Sequence, residues 1–529
     1  TELLSKGVIV TRIFSAVDAP FDRTVEIAAI AGEYGIPIKY SPVTREDIIF
    51  LEKENITYTI TAGYPYRIPV SKVLRQVNIH PSLLPTGRGP WPYSRVIMEA
   101  RPFGVTMHRI VENLDAGDII LQEEIPLAPD ENQITLIKKS VGSAVRLAGS
   151  FIEDPDVLWE NARSQGEGEY WSDYSDEECI IDKSADIEHN ERMLRAFYGE
   201  GVRTDVNGFP VIVKRGRMFK NKQDCPERTL TIQMDEGNGV LCAYEWDLDF
   251  EPLTIAHKDE YLRLSGIYAP KLFDYSFPTL FCWRKAYGWR VYFEKDVCLI
   301  MGEGFFMCPV GDRKQAYDMV ERLLDIYGTL RIESLDEEAR DRFAEIYGGR
   351  MSVEVPPGNG NYVIEAHQYK TFDGSGRLLH KRKNDLKKYS TLEPPPEVIP
   401  ITKENLRMVR EISGLAAGAD AGEEREGIDN YETLGLRGVM IRRGRNNVGF
   451  CISSRLNDDT IEINFMKNLE KERGSHLFTF SSVMEIWDDS IKTVNLEDDA
   501  DEPGIRAFKQ NMGCEVISAY DIIIKRGDL

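Results

Sequence analysis

The sequence predicts an α/β protein of several domains, beginning with a Rossmann-like domain built on a parallel sheet. Short apolar runs alternate with helix-like stretches in the first 152 residues, which is the pattern of a doubly wound sheet. The apolar runs are residues 8–10, 36–38, 58–62 and 77–79, and residues 24–34 form the clearest helical stretch. The length of 529 residues suits three or four domains, at roughly 150 residues for each.

Shifts in composition divide the rest of the chain. An acidic, aromatic connector and short strand-like runs predict a small β domain, and mixed helix and strand patterns return at about residue 251. Consecutive prolines at 394–396 favour an extended linker. The predicted domains are residues 1–152, 153–250, 251–390 and 391–529. Because the chain opens like the end of a helix that stops at Gly7, we also expect the first strand and helix of the sheet to be missing.

Charge and hydropathy exclude some classes of function. The formal net charge is −22 and the sequence pI is about 5.0, so we expect no basic face for DNA or long RNA. The sequence has no apolar run of about 18 residues, so we expect no membrane span. The eight cysteines are scattered without the spacing of a zinc site or a disulfide scaffold, and they predict reduced thiols, a cytoplasmic location and no metal.

Three polar side chains stand at or after the ends of predicted strands in the first domain. Asn78 and His80 close an apolar strand, and Asp115 follows the next strand-like run. In open α/β sheets, ligands bind at the edge where the strands end. Each residue alone has an ordinary structural interpretation, as a turn cap, a buried imidazole or an Asx turn. Their combination predicts a catalytic site.

The motifs around these residues resemble the signature of 10-formyltetrahydrofolate-dependent formyltransferases. This family includes methionyl-tRNA, glycinamide ribonucleotide and amino-sugar nucleotide formyltransferases, and the resemblance covers about residues 1–245. It implies transfer of a formyl group to an amine, with Asn78, His80 and Asp115 as the catalytic residues. The matching motifs are Asn78-x-His80-Pro81-Ser82-Leu83-Leu84-Pro85, Arg88-Gly89 and Leu114-Asp115-x-Gly117.

The resemblance gives each catalytic side chain a chemical role. Attack of an amine on a formyl carbon leaves negative charge on the formyl oxygen, to which Asn78 and a protonated His80 can donate hydrogen bonds. Loss of one such donor lowers a rate about a hundredfold to a thousandfold. Asp115 can favour the protonated form of His80 and relay protons through water.

The resemblance also implies the binding residues. The residues expected to bind 10-formyltetrahydrofolate are Arg67, Ile68, Thr106, Asn113 and Leu114, with Thr106 ordering a catalytic water beside His108. The residues expected to face the acceptor amine are Arg88 and Gly89.

The second half resembles the C-terminal domain of bacterial phosphatidylglycerol lysyltransferases, over most of residues 252–529. Segments 274–284, 378–388 and 494–509 carry the resemblance. It implies two tandem acetyltransferase-like lobes and an acyl-CoA or an aminoacyl-tRNA as donor, with Lys381 and Asn495 as candidate substrate residues. A basic run is also typical of a solvated helix face, and Asn495 can simply cap a loop.

These expectations combine into a two-part enzyme. The first part formylates an amine of a small molecule, either an amino-sugar nucleotide or an amino-acid-like compound. The second part is an acyl- or aminoacyltransferase-like module that acts on the same substrate, since fusion raises the local concentration of one site's product near the other. Three alternatives stay open: an aminoacyl group on tRNA as acceptor, a second half that only binds, or a first half that only senses folate.

Overall fold

The computed structural model describes residues 2–16, 24–227, 229–370, 377–416, 418 and 420–527. The chain forms two units, residues 1–249 and 250–529, and each is described by itself. Helices and strands mix in both units, which confirms the predicted α/β class. Within the described ranges, no helix combines the length and the apolar character that a membrane span requires.

The first unit begins with an α/β part. Its central sheet has the order β3-β4-β6-β7, with β3 and β4 parallel and the other two pairs antiparallel. Separate parallel pairs join β1 to β2 and β5 to β8. The elements are α1 (Glu2–Ser5), β1 (Ile13–Ser15), α2 (Thr24–Glu33), β2 (Ile38–Tyr40), α3 (Arg45–Lys53), β3 (Tyr58–Ala62), β4 (Arg75–His80), β5 (Thr86–Arg88), α4 (Tyr93–Met98), β6 (Phe103–Arg109), β7 (Ile119–Ile125), α5 (Gln133–Phe151), α6 (Pro155–Glu160) and β8 (Glu169–Tyr170).

This part differs from the predicted sheet in two respects. The apolar run 8–10 is irregular, and the first strand lies at 13–15 instead. Ile9 is 87% exposed, whereas Val8 and Val10 are partly buried. The sheet is also mixed, because the short connection between β6 and β7 brings them back as antiparallel neighbours, whereas parallel strands need a longer crossover.

Two helices that support the sheet begin with side-chain caps. Thr44 and Asp47 form a capping box on α3, and Asn132 and Thr135 form one on α5. A cap of this kind stabilises a helix by about 1 kcal/mol. Helix α5 then packs on β6 and β7 and buries Leu136 completely. The strands that carry the polar site residues therefore rest on a well-anchored helix.

The first unit ends in a small antiparallel β part, as the strand-like runs predict. Its strands have the order β11-β12-β10-β9. A disulfide joins Cys225, in the connection before β11, to Cys242 on β12, with the two Cα atoms 6.1 Å apart. This bond corrects the prediction that all cysteines are reduced thiols, because the connection folds back beside a strand whose position the spacing alone did not show. The elements are α7 (Ile187–Ala196), β9 (Val202–Val206), β10 (Phe209–Phe219), β11 (Leu230–Gln233) and β12 (Val240–Leu248).

The second unit contains two larger sheets covered by helices. A 3-10 turn at Phe273–Tyr275 precedes α9. The elements are β13 (Glu251–Pro252), α8 (Lys258–Ser265), α9 (Phe277–Tyr287), β14 (Arg290–Glu294), β15 (Val297–Met301), β16 (Phe306–Met307), β17 (Val310–Gly311), α10 (Arg313–Tyr327), β18 (Thr329–Leu335), α11 (Glu337–Tyr347), β19 (Met351–Glu354), β20 (Asn361–Glu365), α12 (His367–Lys370), α13 (Arg377–Ser390), β21 (Pro396–Pro400), α14 (Leu406–Leu415), α15 (Ala421–Asp429), α16 (Tyr431–Leu434), β22 (Arg437–Arg443), β23 (Asn446–Arg455), β24 (Thr460–Asn468), α17 (Ser475–Met484), β25 (Thr493–Asn495), α18 (Pro503–Asn511), β26 (Glu515–Ile517) and β27 (Tyr520–Lys525).

The two sheets of this unit exchange strands. The first has the order β13-β14-β15-β16-β18-β27-β19, with β17 beside β15, and the second has the order β21-β22-β23-β24-β25-β20-β26. The last strand of the chain therefore lies in the first sheet, between β18 and β19, while β20 lies in the second. The strands of the two sheets are consequently not separated by a boundary at residue 390. The division into two lobes, residues 251–390 and 391–529, stays a prediction.

Candidate active site

Two neighbouring strands of the first unit bring four polar side chains together. Asn78 and His80 are two residues apart on β4, so their side chains point to the same face of the sheet. The antiparallel register places Asn78 opposite His108 and His80 opposite Thr106 on β6. Strand alternation thus builds one side of the predicted site.

Asp115 reaches this group from the loop between β6 and β7. Its φ of 52° lies in the left-handed region, which Asp adopts more readily than most residues. Its Oδ2 accepts a hydrogen bond from the Gly89 N–H at 3.1 Å, and Gln165 Nε2 donates to its backbone carbonyl at 2.9 Å. A Cβ at Gly117 would lie 2.0 Å from the Arg109 carbonyl oxygen, so only glycine lets this loop close. The Asp-x-Gly motif therefore positions the carboxylate.

The Asp115 carboxylate lies between two imidazoles and an amide. Its Oδ2 is 3.7 Å from His80 Nδ1, and its Oδ1 is 3.4 Å from His108 Nε2. Asn78 Nδ2 donates to Oδ1 at 3.3 Å and lies 3.2 Å from His108 Nε2. Both rings and the carboxylate are buried, while Asn78 is partly exposed. Asn78 is therefore the member of the group that an entering ligand can contact.

Backbone carbonyls fix which ring nitrogens carry hydrogen. His80 Nε2 lies 2.7 Å from the Gly87 carbonyl oxygen, and His108 Nδ1 lies 2.9 Å from that of Arg109. A carbonyl oxygen only accepts, so both of these nitrogens carry N–H groups. The ring nitrogens that face Asp115 are then lone pairs in the neutral rings and N–H donors in the imidazolium form. His80 can therefore take up a proton next to Asp115 without moving.

Burial sets the resting charge of this group. Burial lowers the pKa of His80 below its usual 6.5 and outweighs the Asp115 carboxylate and the Gly87 carbonyl, which raise it. Burial also raises the pKa of Asp115, but His108, His80 and the Gly89 N–H together hold that pKa below its usual value. At neutral pH, Asp115 is ionised and His80 is neutral. Asp115 thus favours the protonated form of His80, as expected, but desolvation of the ring is the larger effect.

Thr106 has a structural role. It is fully buried, and its Oγ1 donates to the Ser82 carbonyl at 2.6 Å while it accepts from Leu84 N–H at 3.2 Å and Gln122 Nε2 at 2.8 Å. The single donor and both lone pairs of the hydroxyl are thus used. This hydroxyl holds the turn that follows His80, and the expected ordering of a catalytic water by Thr106 stays a prediction.

The other residues expected to bind folate lie on two loops that meet. The exposed Arg67 donates to the Glu112 carbonyl, which joins the turn after β3 to the β6–β7 loop. Asn113 is exposed on that second loop, and Leu114 is 50% exposed. Ile68, by contrast, packs against the apolar core formed by the α3 region. Arg67, Asn113 and Leu114 are therefore open to a ligand, whereas the Ile68 side chain packs on the core and holds the turn in place.

Arg88 and Gly89 act on the catalytic loop. The Arg88 guanidinium donates to Gln165 Oε1 at 3.1 and 3.0 Å, and Gln165 in turn holds the backbone of Asp115. A Cβ at Gly89 would lie 2.5 Å from the Trp171 carbonyl oxygen, so this position requires glycine. The two residues predicted to face the acceptor thus position the carboxylate.

His108 and Gln165 are the members of this site that the sequence analysis did not assign. The signal for His108 is alternation on β6, where it stands two residues after Thr106 and faces the same side. Gln165 lies in the irregular connector and has no motif of its own. Its role becomes visible only through its hydrogen bonds.

In the second unit, the two candidate substrate residues have different environments. Lys381 is exposed on α13. Asn495 is buried, its Nδ2 donates to Asn361 Oδ1 at 2.7 Å, and its Oδ1 accepts from the Glu497 N–H at 2.7 Å. Asn495 therefore caps the loop after β25, and its expected contact with substrate stays a prediction. Among the described residues, no group of three or more His, Cys, Asp or Glu side chains is arranged to hold a metal ion.

Comparison with known protein families matches both units. Residues 49–145 match the formyl transferase family, and residues 266–511 match the family described as phosphatidylglycerol lysyltransferase, C-terminal. A methionyl-tRNA formyltransferase from Coprothermobacter proteolyticus is 28% identical over 230 residues, which span 40% of this chain and 74% of that protein.

Solved structures also show similarity to parts of this chain. A conserved protein of unknown function from Bacteroides thetaiotaomicron is 18% identical with a TM-score of 0.48, and the match covers 53% of this chain and 99% of that one. A 4-N formyltransferase from Francisella tularensis is 24% identical with a TM-score of 0.30, and the match covers 38% of this chain and 96% of that one.

The fold, the site and the family matches define the protein as an enzyme that transfers formyl groups. The chain joins a formyl transferase domain to a phosphatidylglycerol lysyltransferase C-terminal domain. Both predicted resemblances are thereby confirmed. The expected donor, 10-formyltetrahydrofolate, agrees with the formyl transferase family.

Proposed function

We propose that the first unit transfers the formyl group of 10-formyltetrahydrofolate to an amine of a small molecule. The observation that carries this proposal is the ionised Asp115 between His80 and His108, with Asn78 on the accessible side. This arrangement combines a hydrogen-bond donor for a developing oxyanion with a place to store a proton. Formyl transfer to an amine needs both.

Each side chain has a step in this chemistry. The bound donor supplies a formyl carbon activated by its nitrogen substituent. The Asn78 amide donates to the formyl oxygen as negative charge develops there, an effect of about a hundredfold to a thousandfold on rate. Neutral His80 accepts the proton that the attacking amine loses, and Asp115 stabilises the resulting imidazolium. The proton then passes to the nitrogen that leaves the formyl group.

The loops beside the site fit a folate. Leu114 offers an exposed apolar side chain next to the catalytic loop, and Asn113 and Arg67 offer polar groups around it. Ligand sites of this kind combine apolar contact area with a few polar groups that fix orientation. Arg67, Asn113 and Leu114 would hold the donor, and Ile68 would support their turn.

The acceptor is an amino-sugar nucleotide or an amino-acid-like amine. The net charge of −22 disfavours a polyanionic acceptor, whose phosphates need a basic surface. The alternative acceptor is an aminoacyl group on tRNA, which is favoured by the similarity to a protein named methionyl-tRNA formyltransferase.

The second unit is an acyl- or aminoacyltransferase-like module that acts on the same small molecule in the cytoplasm, with an acyl-CoA or an aminoacyl-tRNA as donor. Its match to the phosphatidylglycerol lysyltransferase C-terminal family supports this assignment. The alternative is a module that binds the substrate without chemistry. Separated units that act on unrelated compounds, with no kinetic effect of fusion, would contradict the coupled function.

A screen of amines with 10-formyltetrahydrofolate tests the proposed activity. The full chain is incubated with amino-sugar nucleotides, amino acids and aminoacyl-tRNA, and products are detected by the mass of one added formyl group. Formylation of a small amine supports the proposal. Formylation of aminoacyl-tRNA alone establishes the alternative acceptor, and formylation of none of them contradicts the proposed function.

A further inference from the structure

The two edges of the second sheet in the second unit differ in their protection. The sheet has β21 at one edge and β26 at the other. β21 begins with Pro396 and ends with Pro400, and proline on an edge strand hinders pairing with another chain. β26 (Glu515–Ile517) contains no proline, and all three of its residues are exposed. The β26 edge therefore lacks the protection that the opposite edge has.

The backbone groups of Val516 point away from the sheet. Val516 is the register partner of Tyr362 on β20. The Tyr362 N–H donates to the Glu497 carbonyl at 3.0 Å, and the Tyr362 carbonyl accepts from the Leu496 N–H at 2.8 Å, so both groups face the β25 side. In an antiparallel pair, opposite residues either exchange their hydrogen bonds or both direct them outward. The Val516 N–H and carbonyl therefore face outward, and no loop or turn among the described residues bonds to them.

A cavity of about 360 Å³ adjoins this edge. Among the residues that line it are the apolar Val355, Pro356, Pro357 and Val516. Val355 is 61% exposed and Val516 is 54% exposed, so these side chains are open to solvent. A Cβ at Gly360 would lie 2.5 Å from Val516 Cγ1, so this side chain lies close to the connection between β19 and β20. A strand added to β26 would direct alternate side chains toward the cavity.

Carboxylates lie at the β26 edge and beside the cavity. Glu515 on β26 and Asp501 in the cavity wall are exposed. Arg506 also lines the cavity, but its guanidinium is shared between Asp499 at 2.7 Å and Asp501 at 2.5 Å. Because one guanidinium faces two carboxylates, the negative charge here is not fully compensated. A strand that pairs with β26 is therefore favoured by basic side chains next to these carboxylates.

We propose that the β26 edge binds an extended peptide segment of a partner protein in which apolar and basic residues alternate. The segment adds as a strand and exchanges backbone hydrogen bonds with Val516, as in recognition by β-strand addition. The residue opposite Val516 shares its face, so an apolar side chain there points toward the cavity. The adjacent residues lie on the face of Glu515, where lysine or arginine is complementary.

A second copy of this chain is a poorer occupant of the same edge. Both copies would bring Glu515 and Asp501 to the contact, and each carries a net charge of −22. The proposed interaction lies in the second unit and does not rest on the proposed formyl transfer.

Calorimetric titration of the full chain with acetyl-Lys-Val-Lys-Val-Lys-Val-Lys-amide tests the proposal. When a valine of this peptide pairs with Val516, the valine N–H groups point toward β26. A control peptide with N-methylated valines keeps the charge and the apolar side chains but lacks these donors. Saturable binding of the first peptide, at least about tenfold tighter than that of the control, supports strand addition. Equal affinity of the two peptides, or no binding of either, overturns it.

A third peptide, with glutamate in place of each lysine, tests the charge of the partner. It should bind at least about tenfold more weakly than the lysine peptide, because it places carboxylates next to Glu515. Equal or tighter binding of the glutamate peptide overturns the assignment of a basic partner.

Two variants locate the binding edge. Val516→Lys places a charge on the open edge, as natural edge strands do, and should weaken binding of the lysine peptide at least about tenfold. Glu515→Gln should also weaken it and provides a second test if Val516→Lys does not fold. Val398→Lys is the matched control, since Val398 is 43% exposed on the opposite edge strand, and it should bind as the native chain does. Unchanged affinity in folded Val516→Lys or Glu515→Gln overturns the location.

Light scattering of the chain without peptide separates a partner segment from a second copy. A monomer, or an oligomer that Val516→Lys leaves intact, agrees with an edge that is free for a partner. A dimer that Val516→Lys converts to a monomer overturns the proposal, because the β26 edge would then pair with another copy of the chain.

Discussion

Asn78 and His108 face each other across the ladder of β4 and β6, and Asn78 Nδ2 lies 3.2 Å from His108 Nε2. A neutral His108 accepts a hydrogen bond from this amide, whereas a protonated His108 donates to Asp115 at 3.4 Å. The same amide is the donor available to a formyl oxygen. The contact with His108 therefore orients the amide that we propose to stabilise the oxyanion.

Replacing His108 by glutamine tests this link. His108→Gln keeps a polar group beside Asn78 but removes the ring nitrogen that lies 3.2 Å from the Asn78 amide, so kcat for formyl transfer should fall about tenfold to a hundredfold. KM for the amine should change little, which a general loss of structure would not produce. The control is His367→Gln, an exposed histidine of the second unit, which should leave both quantities unaltered. A native kcat in folded His108→Gln would remove His108 from the mechanism.

Replacing His80 by alanine should stop formyl transfer while leaving folate binding intact. The ring is buried behind the donor loops and is the proposed proton acceptor, so kcat should fall about a hundredfold to ten-thousandfold. Rates measured with the amine found in the screen, together with equilibrium dialysis of tetrahydrofolate, separate the two effects. Full turnover in His80→Ala would refute the proposed base.

Asp115→Asn should move the acidic limb of the pH–rate profile to lower pH. Burial lowers the pKa of His80, and the Asp115 carboxylate acts against this by raising it. Activity needs the neutral ring, so it is lost as pH falls through the folded pKa, which lies below 6.5. Without the carboxylate that pKa falls further, and the residual activity should persist to lower pH. A limb that moves upward would show that another group titrates.

The candidate site residues Asn78, His80 and Asp115 could be predicted from the sequence because they belong to short motifs with a typical spacing. The side chains of Asn78, His80 and Asp115 do lie together, as expected from their positions at or after the ends of neighbouring strands. The role of His108 depends on the register between β4 and β6, and the role of Thr106 on hydrogen bonds to residues as distant as Gln122. A sequence shows neither the register between two strands nor whether all hydrogen-bonding groups of a hydroxyl are already used.

The same limit applies to the second unit. The helix at 313–327 and the strand at 297–301 follow directly from local patterns. The exchange of β20 and β27 between the two sheets joins segments more than 100 residues apart, and pairing over such distances leaves no local signal. The Cys225–Cys242 bond was missed for a related reason, since it depends on how one connection folds back.

Gly117→Ala should destabilise the first unit and lower its activity. A Cβ at this position would lie 2.0 Å from the Arg109 carbonyl oxygen, and relief of that clash must move the loop that carries Asp115. We expect a loss of about 1–3 kcal/mol in the free energy of unfolding, measured with urea, and a fall in kcat. Gly142→Ala in α5 is the control, since its nearest contact would be 3.5 Å and alanine favours the helix. Equal stability of Gly117→Ala and the native chain would contradict the packing of this loop.

The pH dependence of stability should change in Asp274→Asn. Burial raises the pKa of Asp274 to about 7, and the Asp498 carboxylate adds to this, whereas the usual value is 3.8. The folded chain therefore binds this proton more tightly than the unfolded chain does. As a result, this carboxyl makes the free energy of unfolding fall as pH rises from about 4 to about 7.

Asparagine cannot titrate, so the fall in stability that Asp274 contributes over that window should be absent from the urea midpoints of Asp274→Asn. The free energy of unfolding of the variant minus that of the native chain should therefore be larger at pH 7 than at pH 4. Asp318→Asn, an exposed residue of α10, should follow the native curve. If Asp274→Asn and the native chain gave parallel curves, the pKa of Asp274 would not be raised in the folded chain, and Asp274 would be ionised at neutral pH.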